Sequence, residues 1–287
     1  GKRASNRLYG LGACDMKAGV AADMMVTRAL HRRRDLWRGT VLFSSVVDEE
    51  AYSIGARALV NAGIPVDYCV VTEPSWENPL IGAVGKVLVR GDVTGKAAHG
   101  SSPSEGINAA VEAARLVAKL DEMPLGRHPR MSATQCILSF HSGNDQYVIT
   151  VPEKGRFTIN RHIVPGESGD SVLAEMKALA ESLKSPAEFA FAIDPPYYPP
   201  WEIDPQHPFV QRFARAYQTE VGHFPQFGYS TGVADANLFA ADMNVPTIEF
   251  GPHGEGLHQA DEWVDVPSIA TTVRVLLRLA TDILSIS

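Results

Sequence analysis

Two short apolar runs, each ending in acid, restrict what this chain can fold into more than any other feature. Thr40-Val41-Leu42-Phe43-Ser44-Ser45-Val46-Val47 has the length and β-rich character of a buried strand, and it stops abruptly at Asp48-Glu49-Glu50. Tyr68-Cys69-Val70-Val71 has the same character and stops at Thr72-Glu73-Pro74. Between them, Ser53 to Ala62 reads as a helix closed by the breaker Gly63-Ile64-Pro65. Strand, helix, strand predicts an α/β fold with a mostly parallel sheet. In such a sheet the residues just past the C-terminal strand ends converge on one crevice. Carboxylates gathered there repel one another unless cations bind between them.

The rest of the chain extends this pattern and then interrupts it. Asp15 to about Arg34 reads as a helix, with Val20, Met24 and Ala29 at helical spacing and Arg32-Arg33-Arg34 where the dipole favours cations. From about Gly82 to Asp194 the texture changes. Val84–Thr94 alternates like a half-exposed strand, Ile107–Leu120 is an amphipathic helix, and Thr134–Phe140 and Arg156–Ile163 read as strands. A helix over Ser171–Leu183 and a strand over Glu188–Ile193 complete a β-α-β-β-α-β order, the split-βαβ or ferredoxin-like pattern. Pro195-Pro196-Tyr197-Tyr198-Pro199-Pro200 reads as an extended linker. Beyond it come a helix (Pro208–Glu220), a polar loop (Gly228–Asp235), a strand (Thr247–Phe250), a Gly/His loop and a closing helix (Ser268–Ile286). The expected organisation is one α/β domain, residues 1–81 and 194–287, interrupted by an inserted α+β domain, residues 82–193.

Composition narrows the function classes. The 287 residues carry a net charge of −7, which speaks against nucleic acid as partner. No apolar run reaches the roughly 18 residues of a membrane span. Cys14, Cys69 and Cys136 are odd in number and widely spaced, so a disulfide framework or zinc knuckle is not expected and a cytoplasmic, reducing setting is. The chain opens Gly1-Lys2-Arg3 without Met, and an N-terminal part of the first domain is expected to be missing.

The chemistry lies in acids placed at strand ends. Asp15 follows the turn Gly10-Leu11-Gly12-Ala13-Cys14, Glu49 and Glu50 follow one apolar run, and Glu73 follows the next. His258, in Gly256-Leu257-His258-Gln259-Ala260-Asp261-Glu262, is the imidazole that also follows a strand. Singly, each has a plain explanation: Asp15 as a helix N-cap, Asp48-Glu49-Glu50 as an acidic helix start, Glu73 as a solvated loop acid. Together they are a carboxylate–imidazole set suited to a divalent metal such as Zn²⁺. Two other readings are weaker. Gly10-Leu11-Gly12 lacks the third glycine and preceding strand of a dinucleotide fingerprint, and the acid beside Cys14 disfavours a thiolate nucleophile.

Five segments resemble, in order, the M20 metallopeptidase family, the group of acetylornithine deacetylase, succinyl-diaminopimelate desuccinylase, aminoacylase and glutamate carboxypeptidase. They are Leu11-Gly12-Ala13-Cys14-Asp15-Met16-Lys17-Ala18-Gly19; Val46-Val47-Asp48-Glu49-Glu50 with Gly55-Ala56; Thr72-Glu73-Pro74-Ser75; Ala97-Ala98-His99-Gly100-Ser101-Ser102-Pro103 with Gly106-Ile107-Asn108-Ala109; and Gly251-Pro252 through His258 and Glu262. The resemblance implies two Zn²⁺ per subunit, with Co²⁺ or Mn²⁺ as substitutes. Asp15 would bridge them, Glu50 and His258 would complete one, and Glu73 would ligate the other. Glu49 would be the general acid/base for a metal-bound hydroxide attacking the amide of an N-acyl amino acid or small peptide. His99 would help hold the oxyanion across a lid-mediated homodimer, Arg161 would hold a substrate carboxylate, and Asp235 would support the site from behind.

Two departures accompany the resemblance. The family's further histidine ligand, in a His-x-Asp motif upstream of the bridging aspartate, has no counterpart among the fourteen residues before Asp15. The Glu73-side metal is therefore expected to bind weakly or not at all. In the lid, Ile149-Thr150-Val151 stand before Pro152-Glu153 where the family often has Asn. The alternative function is a non-catalytic or metal-deficient relative acting as a dimeric binding or scaffold protein.

Overall fold

The computed structural model describes residues 1–75, 78–143 and 149–284. The chain forms two compact units. Gly1–Ala83, Glu202–Ser230 and Ala234–Ser287 make up the first, and Val84–Trp201 with Thr231–Val233 the second.

The first unit holds a mixed sheet in the order Gly228–Ser230, Leu80–Ala83, Thr247–Glu249, Cys69–Val71. Its outer pairings are parallel and the central one is antiparallel, because Leu80–Ala83 runs against Thr247–Glu249. Helices Gly19–Arg32 and Pro208–Val221 both pack on Val266–Ile283. Phe213, Tyr217 and Phe250 form an aromatic core there, with Phe250 centroids 5.1 and 5.8 Å from the other two rings. A small antiparallel ladder joins Arg7–Tyr9 to Trp263–Asp265, and so brings the start of the chain beside its last loop.

Several expectations need correction. Thr40–Val47 forms no strand: none of the sheet's strands pairs with it, and Leu42 and Val47 are 48% and 65% exposed. A helix does not begin at Asp15, where φ −109° and ψ 98° are non-helical; the α-helix starts at Gly19. Its buried stripe is Gly19, Ala22, Val26 and Leu30, whereas Met24 faces solvent. The closing helix ends at Ile283, and residues 285–286 of the expected span lie outside the described residues.

The second unit is a four-stranded antiparallel sheet in the order Thr134–Ser142, Lys154–Ile163, Gly85–Thr94, Glu188–Tyr198. Strict alternation along Gly85–Thr94 turns Val87, Val89 and Val93 onto one face. There they meet Ala113, Leu116 and Leu120 from helix Ala109–Asp121, and Val172 and Met176 from Gly169–Ser182. Pro195 and Pro196 are not a linker but part of the last strand. That strand lies on the sheet edge and shifts register between Lys86 and Leu88, so the missing proline N–H groups interrupt no central ladder.

Arg161 lies in the second unit. It sits mid-strand with no exposed surface, and its Nη1 and Nη2 donate to Glu175 and Glu167, each at 2.7 Å. The two carboxylates hold the terminal nitrogens of the guanidinium, while Nε is buried without a hydrogen-bond partner. Removing one partner of a buried ion pair costs about 3–5 kcal/mol. Arg161→Ala is expected to lower unfolding free energy by that order in denaturant titration, while KM of the folded variant stays unchanged.

Candidate metal centre and active site

The residues that sequence places at strand ends come together in the first unit. His258 Nε2 lies 2.9 Å from Asp15 Oδ2, and its Nδ1 lies 3.5 Å from Glu50 Oε2. One ligand atom from each of Asp15, Glu50 and His258 falls within 4.8 Å of the others. Two carboxylate oxygens and an imidazole nitrogen brought this close are the donor types that would hold Zn²⁺.

Local backbone geometry aims these groups. Asp48 takes φ 68° and His258 φ 61°, left-handed values that an L residue adopts at a cost. At Asp48 the turn is closed by Ser53 N donating to Asp48 O at 2.7 Å and by Tyr52 N donating to Asp48 Oδ2 at 3.1 Å. Glu49 and Glu50 ride on that turn, and helix Ile54–Asn61 starts just after it. Gly55 makes the turn possible, because a Cβ there would meet Val47 N at 2.5 Å.

Electrostatics separates the acids by role. Burial, reinforced by Asp235, Glu50 and Asp15, lifts the Glu49 carboxyl from 4.5 to about 7, with His258 opposing. Glu73 is raised further, by burial first and then by Glu49, Asp15 and Glu249; it also shares a side-chain hydrogen bond with Asp15. Two carboxyls that close need a proton or a cation between them. Asp235 is buried, hydrogen-bonded to Ser53, and its charge acts on Glu49. His99 belongs to the second unit, exposed, with Nδ1 2.8 Å from Ser101 Oγ. Cys14 is buried beside Glu262, Asp15 and Glu73, and its thiol is pushed up to about 12, which removes it as a nucleophile.

Residues 1–282 match Peptidase family M20/M25/M40. The chain belongs to that family. Among its relatives, succinyl-diaminopimelate desuccinylase 1 of Ruegeria sp. is 29% identical over 97% of this chain and 75% of its own. The succinyl-diaminopimelate desuccinylase of Methylobacterium radiotolerans is 30% identical over 94% and 71%. In fold, the chain resembles aminopeptidase PepT of Bacillus cereus, with TM-score 0.77, 24% identity, and coverage of 97% of this chain and 74% of that one. It also resembles a dinuclear metal-binding M20 peptidase of Bacillus subtilis, with TM-score 0.71, 20% identity, and coverage of 94% and 72%. This M20 chain is thus a hydrolytic enzyme of mixed α/β fold. None of its helices, among the described residues, is long and apolar enough to cross a membrane.

Two further acids belong to this M20 site: Glu249, which sequence does not single out, and Glu262, which sequence names only as the end of the last family-like segment. Glu249 ends strand Thr247–Glu249, is almost fully buried, and is raised to about 8 by burial and Glu49. The strand-end logic that finds Glu73 would also have found it. Glu262 is buried, and its carboxylate accepts from the backbone N–H groups of Gly12, Cys14 and Asp15 at 2.6, 2.8 and 2.9 Å. Burial opposes its ionisation, but those bonds and the Lys17 charge hold its carboxyl below the ordinary value.

Proposed function

We propose that this chain hydrolyses the amide bond of a carboxylate-bearing N-acyl amino acid or small peptide at a zinc centre on Asp15, Glu50 and His258. The convergence of those three ligand atoms within 4.8 Å carries the reading. Zn²⁺ bound there would supply positive charge that polarises the scissile carbonyl and acidifies water. The chain's own residues would do the rest. Glu49, adjacent to a ligand and held near neutrality in the metal-free chain by burial and neighbouring acids, takes the proton of the attacking water on its carboxylate and returns it to the leaving nitrogen. Asp235 stands behind Glu49 and helps keep its carboxyl in that range.

Relatives that are desuccinylases at 29–30% identity favour the deacylase branch, so N-succinyl and N-acetyl amino acids are the first substrates to try. The dinuclear solved relative favours a second ion, which Asp15 and the neighbouring Glu73 would help hold. Those two residues alone are too few for a closed zinc site, so that ion is expected to bind weakly in this polypeptide. Dimerisation through the second unit, with exposed His99 reaching substrate on the partner, follows from the family resemblance, and a cytoplasmic setting from the odd number and wide spacing of the cysteines.

Zinc calorimetry combined with a hydrolysis screen of N-acyl amino acids and dipeptides tests the proposal. One tight site and turnover of at least one acylated amino acid or dipeptide are expected. Two tight sites would remove the weak-site reading. A metal-loaded protein that hydrolyses none of them would overturn the enzymatic assignment in favour of a binding protein.

A further inference from the structure

We infer that Glu262 is a positioning residue that sets the spacing of Asp15 and His258. The inference rests on the metal reading proposed above. It starts from chain geometry: Asp15 and His258 are 243 residues apart, and a metal needs their ligand atoms fixed to a few tenths of an ångström. Side-chain contact between them cannot do this, because both would turn toward the cation.

The backbone can. Strand Trp263–Asp265 pairs with Arg7–Tyr9, which brings Glu262 directly against the loop that follows Tyr9. Its own carbonyl accepts from Gly10 N at 2.9 Å. Its side chain then gathers the next free donors of that loop: Oε2 accepts from Gly12, and Oε1 from both Cys14 and Asp15. The loop can present these N–H groups inward because Gly12 adopts φ 73°. One carboxylate thus holds the peptide N–H of one ligand directly, and it lies four residues along the chain from the other.

An ionised carboxylate with 1% exposure is costly unless its lone pairs are satisfied, and here three N–H groups satisfy them. A carboxamide of the same shape cannot replace it. Glutamine has one acceptor oxygen, so whichever way it turns, at least one backbone N–H would face an NH₂. Residues that hold a ligand in place typically account for 10–100-fold in metal affinity.

The test uses CoCl₂ as probe on the full chain. Glu262→Gln is expected to bind Co²⁺ 10–100-fold more weakly than wild type, with altered visible absorption of the bound ion. Amides of residues 12, 14 and 15 should exchange at least tenfold faster than in wild type, while amides of strand Gly85–Thr94 keep wild-type protection. Equal affinity with an unchanged spectrum, or unchanged exchange at those three amides, would overturn the assignment. Should Glu262→Gln fail to fold, the wild-type protein decides by itself: protected amides at 12, 14 and 15 support the clamp, and free exchange there overturns it. A wild type that binds no Co²⁺ but protects those amides counts against the metal reading and leaves the clamp supported.

Discussion

Glu49→Gln is expected to lower kcat on the protein's amide substrate by about 10²–10⁴-fold, the usual worth of a positioned general acid/base. Metal affinity should change little, because the atoms that converge come from Asp15, Glu50 and His258. Stability of the metal-free protein should rise. Glu49 is a half-buried carboxyl that Asp235, Glu50 and Asp15 all oppose, and neutral glutamine removes that repulsion. A variant that is more stable, still binds metal and barely turns over would separate chemistry from folding. Steady-state kinetics, zinc titration and thermal unfolding on one preparation measure all three. Unchanged turnover would exclude Glu49 from the mechanism.

The clustering of Asp15, Glu50 and His258 was legible in the sequence where the apolar run before Glu50 misled, and the reason lies in what each signal reports. Asp15, Glu50 and His258 could be read as a set because acids and imidazole at the ends of apolar runs have few other uses when they recur in order. The apolar run Thr40–Val47 shows the limit of that logic. Hydrophobic periodicity reports what a segment would bury if it had neighbours, and here no strand pairs with it. Met24 and the stripe of helix Gly19–Arg32 failed similarly: the small residues Gly19 and Ala22 take the buried face because close helix packing needs little volume there. Arg161 was ambiguous for a different reason. A strand arginine reads alike whether it faces ligand or carboxylate, and the ion pairs with Glu167 and Glu175 at 2.7 Å leave no mark on the sequence. Glu262 was invisible as a clamp because its partners are backbone N–H groups, which leave no mark on composition.

Metal-free protein is expected to lose stability as pH rises from about 5 to 9, and added Zn²⁺ to restore it, with the gain largest at the alkaline end. The sign follows from the direction of the shifts. Glu49 and Glu249 have folded-state values of about 7 and 8, above the ordinary 4.5, and Glu73 is raised as well. An acid whose value is raised on folding stabilises the fold fully below its unfolded value. That contribution fades as pH climbs through the folded one. In the chelated protein these acids hold protons that the unfolded chain would release, so each unit of alkalinity weakens the fold. A cation replaces those protons as the counter-charge, and proton release therefore accompanies its binding. At a free concentration of 1,000 times Kd the ion adds about 4 kcal/mol. Thermal unfolding in chelator and in excess Zn²⁺ at a series of pH values reads the difference directly. The two melting curves should diverge from pH 5 upward. A gap that narrows with pH would mean that Glu49, Glu73 and Glu249 do not face the ion, while no gap at any pH would return Asp15, Glu50 and His258 to an ordinary hydrogen-bonded cluster.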